Sequence, residues 1–373
     1  MSTTLVNARI VAQDTVFDGW LSIEEGRITH IGHGGAPRDG ESLDHRLVVP
    51  GFVDMHVHGG GGAGYPTGLA PEARRAFAFH LSHGTTTAVA SLVTAPLDHL
   101  RRAAGELAEL CREGLLAGIH FEGPYISAAK CGAHRPALLR EPSVAEFLDL
   151  IKAAHGHARM FTIAPELPNA LDAIAACAAN GVIAAIGHTD ATYDEAEAAI
   201  DAGATVATHL FNAMRPLGHR DPGPITAALA DERVTVELIN DGFHLHEAVI
   251  DLALRSAKGG VAFVTDAMDA AGMPDGDYDL GPMRVEVRGG EARLEGGGSI
   301  AGSTLTMDKA FRRGVQLNGL TLSQATEVTS LNPAKALGLD DEIGSIAVGK
   351  RADLVVLDDD LHVHRVMRHG EWV

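Results

Sequence analysis

Apolar and polar positions follow two different rhythms along this chain. At both ends they alternate nearly residue by residue, as in Thr4-Leu-Val-Asn-Ala-Arg-Ile-Val and in Gly344-Ser-Ile-Ala-Val-Gly-Lys-Arg-Ala-Asp-Leu-Val-Val-Leu-Asp. A period of two marks strands with one buried face. Glu25-Gly26 supplies a tight turn within the first of these regions, so a small antiparallel sheet is expected there. Two strand-rich ends around a long middle are expected to pair into one composite β-sandwich domain, residues 1–50 and 340–373, because pairing hides open strand edges.

The middle has the other rhythm. Apolar runs near 49–58, 85–94, 116–123, 159–165, 182–188, 204–211, 234–240 and 260–266 read as strands. Ala-rich segments between them, such as Pro71–Ser82, Leu97–Arg112, Val144–Ala154, Ala170–Asn180, Tyr193–Ala202 and Glu247–Lys258, read as helices. Ser143 is placed as an N-cap, and Gly181 and Gly203 as C-terminal caps. Eight strands with intervening helices predict an α/β fold, a (β/α)8 TIM-type barrel over residues 51–339. A doubly wound sheet would need a phosphate-binding glycine turn opening a helix, and Gly59–Gly62 is not followed by one. The Gly-rich segment 275–303 reads as an inserted hairpin, followed by helices at Leu305–Gln316 and 321–338.

Composition narrows the function. The chain has 373 residues, a hydrophobic fraction of 46% and a charged fraction of 21%, which is a globular composition. Its formal charge of −19 argues against a nucleic-acid partner. No apolar run reaches the roughly 18 residues of a membrane span. The start, Met1-Ser-Thr-Thr-Leu-Val-Asn-Ala-Arg, lacks the charged-then-apolar order of a signal peptide. Cys111, Cys131 and Cys177 are too few and too scattered for a disulfide framework. A soluble cytoplasmic protein is expected, with no membrane partner.

The chemistry gathers at strand ends. His56 and His58 close the run Val49-Pro-Gly-Phe-Val-Asp-Met-His-Val-His, and residues i and i+2 of a strand share a face. Glu122, His188, His209 and Asp266 fall at or near the ends of other apolar runs, where parallel barrels build their sites. Six nitrogen and oxygen donors without a thiolate suit Zn²⁺, Fe²⁺, Mn²⁺ or Co²⁺. Lys130, Lys152, Lys258, Lys309, Lys335 and Lys350 all lie outside the expected strands. A bridge between two metals would therefore fall to a carboxylate, and Glu122 is best placed.

On these residues the chain resembles the amidohydrolase superfamily. Within it, His120-Phe-Glu-Gly-Pro-Tyr, Lys130-Cys-Gly-Ala-His-Arg-Pro, Gly187-His-Thr, Thr208-His-Leu-Phe-Asn-Ala-Met and Asn240-Asp-Gly-Phe-His are similar to the N-acetylglucosamine-6-phosphate deacetylase family. The resemblance implies metal-dependent hydrolysis of the acetamide of N-acetyl-D-glucosamine 6-phosphate, in amino-sugar catabolism and cell-wall recycling. It implies Glu122, His188 and His209 as the main metal ligands and Asp266 as the catalytic acid/base. It also implies substrate contacts from Ala133, His134, Asn212, Ala213, Arg220, His244 and the loop Ile300-Ala301-Gly302. Some members lack both first-strand histidines and use one metal. This chain keeps His56 and His58, so one or two divalent ions per subunit are expected, Zn²⁺ first among them. His134 and the metal would polarise the acetyl carbonyl, and Arg220 with His244 would hold the phosphate across the interface of a homodimer. A barrel deaminase or a D-aminoacylase shares the metal logic. A deaminase has no evident use for a phosphate clamp, and a scaffold protein would be expected to lose ligands.

Overall fold

The computed structural model describes residues 2–36, 39–296 and 298–373. The chain divides into two compact units, one of Met1–Asp54, His80–Thr87 and Thr306–Val373, the other of Met55–Phe79 and Ala88–Leu305.

The first unit holds a sheet drawn from both chain ends. Its strands run in the order Glu371–Trp372, Val363–Arg368, Leu354–Leu357, Leu47–Pro50, Ser2–Val11, Val16–Glu24 and Arg27–His33. The two ends of the chain meet where Leu354–Leu357 pairs antiparallel with Leu47–Pro50. Leu5, Leu21, Ile28, Val48, Leu354 and Met367 share one buried cluster, and Arg27 bridges back to Arg351, so the sheet folds over its own core as a sandwich does. Glu25 (φ 51°) and Gly26 (φ 76°) make the tight turn that their sequence demands. The helices Met307–Gln316, Leu322–Thr326 and Asn332–Ala336 also belong to this unit. The expected single helix over 321–338 is interrupted by a π-helical stretch, Glu327–Leu331. Pro333 follows closely and has no N–H to continue an α-helical ladder.

The second sheet is the barrel. Its strands are β1 (Phe52–Val57), β2 (Thr85–Val93), β3 (Gly118–Glu122), β4 (Ala158–Ile163), β5 (Ile183–Ile186), β6 (Ala204–Ala207), β7 (Thr235–Ile239) and β8 (Val261–Val264), and they pair in chain order. Past the strand ends, the Asp266 N–H donates to His56 O at 2.9 Å and the His58 N–H to Ala267 O at 2.8 Å, which brings β8 round to β1. Helices cover the outside through apolar stripes. In Leu97–Arg112 the buried residues Leu100, Ala103, Ala104, Leu107 and Ala108 follow the helical period.

Several elements differ from the sequence pattern. The runs expected at 182–188, 204–211 and 260–266 stop at Ile186, Ala207 and Val264, because His188, His209 and Asp266 leave the strand conformation with φ of 47°, 28° and 48°. Ser143 occupies the N-cap position of Val144–Ala153 without a side-chain hydrogen bond; the sequence-legible cap is instead Thr192, whose hydroxyl and Glu195 form a reciprocal capping box. A helix at Gly223–Ala230 was not read from the sequence. It is short, and its residues are apolar nearly all round, so no stripe announces it. The segment after β8 forms three strands, Gly276–Leu280, Met283–Arg288 and Glu291–Leu294, which bury Val285, Val287 and Ala292 against Met268 and Ala301. Among the described residues no helix is long and apolar enough to cross a membrane.

Candidate active site

The site lies at the C-terminal ends of the barrel strands, and its donors converge on Glu122, the last residue of β3. Glu122 Oε1 is 3.1 Å from His188 Nε2 and 3.0 Å from His209 Nε2, and those two nitrogens are 3.0 Å apart. Glu122 Oε2 is 3.2 Å from His58 Nε2, which in turn is 3.1 Å from Asp266 Oδ1 and 3.1 Å from His56 Nε2. One carboxylate thus faces two donor groups, Glu122 with His188 and His209 on one side, and His56, His58 and Asp266 on the other.

Hydrogen bonds on the far side of the rings fix which nitrogens carry protons. His58 Nδ1 faces Ser91 O at 3.1 Å and His188 Nδ1 faces Lys130 O at 2.9 Å. A carbonyl can only accept, so in both rings the neutral form has Nδ1–H and a bare Nε2 aimed at the centre. His56 Nδ1 is directed likewise to Glu237 Oε2 at 3.0 Å. Lone pairs from these imidazoles and from the Glu122 and Asp266 carboxylates therefore converge on one buried centre. Two groups of buried side chains here, His56 with His58, Glu122 and Asp266, and Glu122 with His134 and His188, could each hold a metal ion. Without an ion, protons take that place. Burial opposes the charged imidazole of His58, yet hydrogen bonds and charge from Asp266 and Glu122 prevail and push it up to about 9. His56 is raised well above its ordinary value against the same burial, by Asp266, Glu122 and Glu237. Burial would raise Asp266, but the charges of His56 and His58 hold it down at about 2.

Three ligand candidates sit in left-handed backbone, which costs a non-glycine residue on the order of 1–3 kcal/mol unless the surroundings hold it. Each is held. His188 O accepts the Ser127 N–H at 2.9 Å, the His209 N–H donates to Glu237 Oε2 at 3.1 Å, and Asp266 O accepts the Ser303 N–H at 2.8 Å. Gly132 (φ 56°) lets its loop cross close to a ligand, since a Cβ there would lie 3.1 Å from His188 Cε1.

His134 has the opposite tautomer. The Thr94 backbone N–H donates to its Nδ1 at 3.3 Å, so that nitrogen is bare and Nε2–H points inward, 3.5 Å from Glu122 Oε2. Burial, only partly countered by Glu122, holds its pKa down at about 4, so the ring is a neutral donor.

The cavity above these groups has a volume of about 380 Å³. Ala133, Asn212, Ala213, His244, Ile300 and Gly302 line it, as does His134. His244 is braced by Asp241, whose Oδ2 lies 2.7 Å from Nδ1 and whose Oδ1 takes the His244 N–H at 2.9 Å. Two residues stand apart from the lining. Ala301 is fully buried in the cluster beneath the insert, and Arg220 is exposed on the surface loop with its guanidinium 2.6 Å from His219 Nε2. Lys130, which the sequence reading did not assign to the site, does line the cavity, its Nζ 3.5 Å from Asp190 Oδ1. Glu237 and His120 were missed as well. His120 lies below the centre, 2.9 Å from Ser91 Oγ and 2.8 Å from Thr162 Oγ1. The signal for Glu237 was there: it is a single acid inside the apolar run Val234-Thr-Val-Glu-Leu-Ile.

Comparison with known proteins follows the same lines. The model of the amidohydrolase family matches residues 47–373. The chain is 39% identical over 364 residues to N-acetylgalactosamine-6-phosphate deacetylase of Escherichia coli O157:H7, covering 95% of this chain and 96% of that one. It is 36% identical over 330 residues to N-acetylglucosamine-6-phosphate deacetylase of Vibrio furnissii, with 87% and 82% covered. Among solved structures, an aspartate-to-alanine mutant of N-acetyl-D-glucosamine-6-phosphate deacetylase from Mycobacterium smegmatis, in complex with N-acetyl-D-glucosamine 6-phosphate, superposes with a TM-score of 0.96 at 47% identity, covering 100% of this chain and 99% of that one.

Proposed function

The chain belongs to the amidohydrolase family, and on that premise we propose that it hydrolyses the acetamide of N-acetyl-D-glucosamine 6-phosphate to D-glucosamine 6-phosphate and acetate. The observation that carries this reading is the meeting, at one cavity, of an ionised acid, a neutral N–H donor and a donor set for a divalent ion: Asp266, His134, and Glu122 with His188 and His209. The named relatives act on amino-sugar 6-phosphates.

Glu122, His188 and His209 would hold the principal metal, and His56, His58 and Asp266 are the residues that would take part in holding a second. Nitrogen and oxygen donors without thiolate suit Zn²⁺ first, and admit Fe²⁺, Mn²⁺ or Co²⁺. When bound, the ion acts as a Lewis acid and lowers the pKa of water toward ~7. Asp266 accepts the proton that the attacking water loses as its oxygen bonds to the acetyl carbon. The same proton then passes from Asp266 to the 2-amino nitrogen as the C–N bond breaks, leaving the free amine and acetic acid, which releases the water's second proton to become acetate. His134 Nε2–H donates to the acetyl oxygen while negative charge collects there. At the cavity's outer part, His244, braced by Asp241, and the partner's Arg220 bind the 6-phosphate, so the working unit is a homodimer with a shared phosphate site. Arg220 being exposed and outside its own cavity supports that assignment.

The Escherichia coli relative favours a second substrate, N-acetylgalactosamine 6-phosphate. Comparison of kcat/KM for the two 6-phosphates and for unphosphorylated N-acetylglucosamine decides. N-acetylglucosamine 6-phosphate should have the highest value. A higher value for the galacto epimer would install the second reading, and failure to cleave either ester would refute both.

A further inference from the structure

Glu237 is a fully buried carboxylate in the middle of β7, and no lysine or arginine pairs with it among the described residues. An ionised group in such a place needs hydrogen bonds and a nearby positive charge. Its Oε2 receives two N–H groups, His56 Nδ1–H at 3.0 Å and the His209 backbone N–H at 3.1 Å. Its own main-chain oxygen takes the next amide of the same turn, Leu210 N–H, at 2.8 Å. Its Oε1 is buried without a hydrogen-bond partner among the described residues.

These contacts reach both donor groups. His56 belongs with His58 and Asp266, and the bond to Glu237 commits its Nδ1 to a proton and its Nε2 to the centre. His209 belongs with Glu122 and His188, and sits in left-handed backbone at φ 28°. The two amides accepted by Glu237, at 209 and 210, pin that turn. A carboxylate behind a metal-binding imidazole fixes its tautomer and makes it a better donor. We propose that Glu237 is a positioning residue that braces both metal-binding groups at once, setting the His56 ring on one side and the His209 backbone on the other.

This inference rests on the reading that the site holds a metal, and the test separates the two. Full-length protein is stripped of metal and titrated with Zn²⁺ in the presence of a chromophoric competitor, for the unchanged chain, Glu237→Gln and Glu237→Leu. The melting temperature of each metal-free form is recorded alongside. Glu237→Leu, which removes the side-chain acceptor of the His56 and His209 N–H groups and keeps the main-chain bond to Leu210, should weaken Zn²⁺ binding about 100-fold, and Glu237→Gln, which keeps an uncharged acceptor, about 10-fold. The Gln variant should melt within a degree or so of the unchanged chain. If Leu does not fold, the Gln variant decides alone. Zn²⁺ affinity equal to that of the unchanged chain in Gln, or a loss that merely follows a lowered melting temperature, overturns the proposal. Absence of Zn²⁺ binding by the unchanged chain overturns the metal reading, and this inference with it.

Discussion

His188 Nε2 and His209 Nε2 lie 3.0 Å apart, each also within 3.1 Å of the same oxygen of Glu122. The Nδ1–H of His188 is already given to Lys130 O, so its Nε2 offers a lone pair. Two ring nitrogens at that distance, sharing a carboxylate oxygen, make a donor set that suits a metal ion. Glu122→Gln or His188→Ala should therefore lose bound metal and turnover together. Elemental analysis beside a kcat measurement checks this, and full metal content with full activity in either variant would contradict the assignment.

Asp266 is expected to behave differently from those ligands. Asp266→Asn keeps the shape but cannot accept the proton from water, so kcat should fall at least ~10²-fold. The ion held by Glu122, His188 and His209 should remain. A variant with near-normal kcat would remove Asp266 from the proton transfer.

Most of the fold was legible because barrel strands and helices carry different periods, and the chain ends a third texture. The pair His56 and His58 stood out for the same reason: alternation puts both on one face of β1. What escaped was local or reached across elements. His188, His209 and Asp266 looked like strand residues because apolar runs continue past them, yet the backbone turns left-handed at each. That turn is enforced by partners from elsewhere, Ser127, Glu237 and Ser303, which no local pattern announces. Glu237 and His120 were visible as polar residues in apolar runs, but their value depends on rings that only the closed barrel brings near. Ala301 carries no sign in the sequence that it is buried beneath the insert while Ile300 and Gly302 reach the cavity.

A pH-dependent feature lies just outside the metal-binding groups. Burial, reinforced by the charges of Glu72 and Asp279, pushes Asp269 up from 3.8 to about 6. The folded chain keeps this proton over a range where the unfolded chain has released it. The associated stability is therefore complete below 3.8 and is lost as pH rises through about 6. Asp269→Asn escapes that loss. It should raise the melting temperature near pH 7 by about 1–3 °C and flatten its decline between pH ~4 and ~7. A melting temperature lowered near neutral pH would show that the carboxylate is a stabilising partner instead.

Arg220 tests the proposed shared phosphate site. It is exposed and, among the described residues, its guanidinium hydrogen-bonds its neighbour His219, so Arg220→Ala should leave the fold and the metal site intact. It should raise KM for the 6-phosphate substrate, by an amount corresponding to about 2 kcal/mol or more, and barely change the poor turnover of the unphosphorylated sugar. Equal losses on both substrates would assign Arg220 to the fold, and a fully active monomer in sedimentation would remove the partner from the site.

Acetate released from N-acetyl-D-glucosamine 6-phosphate by the purified chain is the most direct measurement, taken before metal removal, after chelation, and after Zn²⁺ is restored. Acetate and free amine should appear in equal amounts, stop on chelation and resume with the ion. Undiminished release from demonstrably metal-free protein, or no release from protein with its site filled, would contradict the claim that this site is a metal-dependent amino-sugar-phosphate deacetylase.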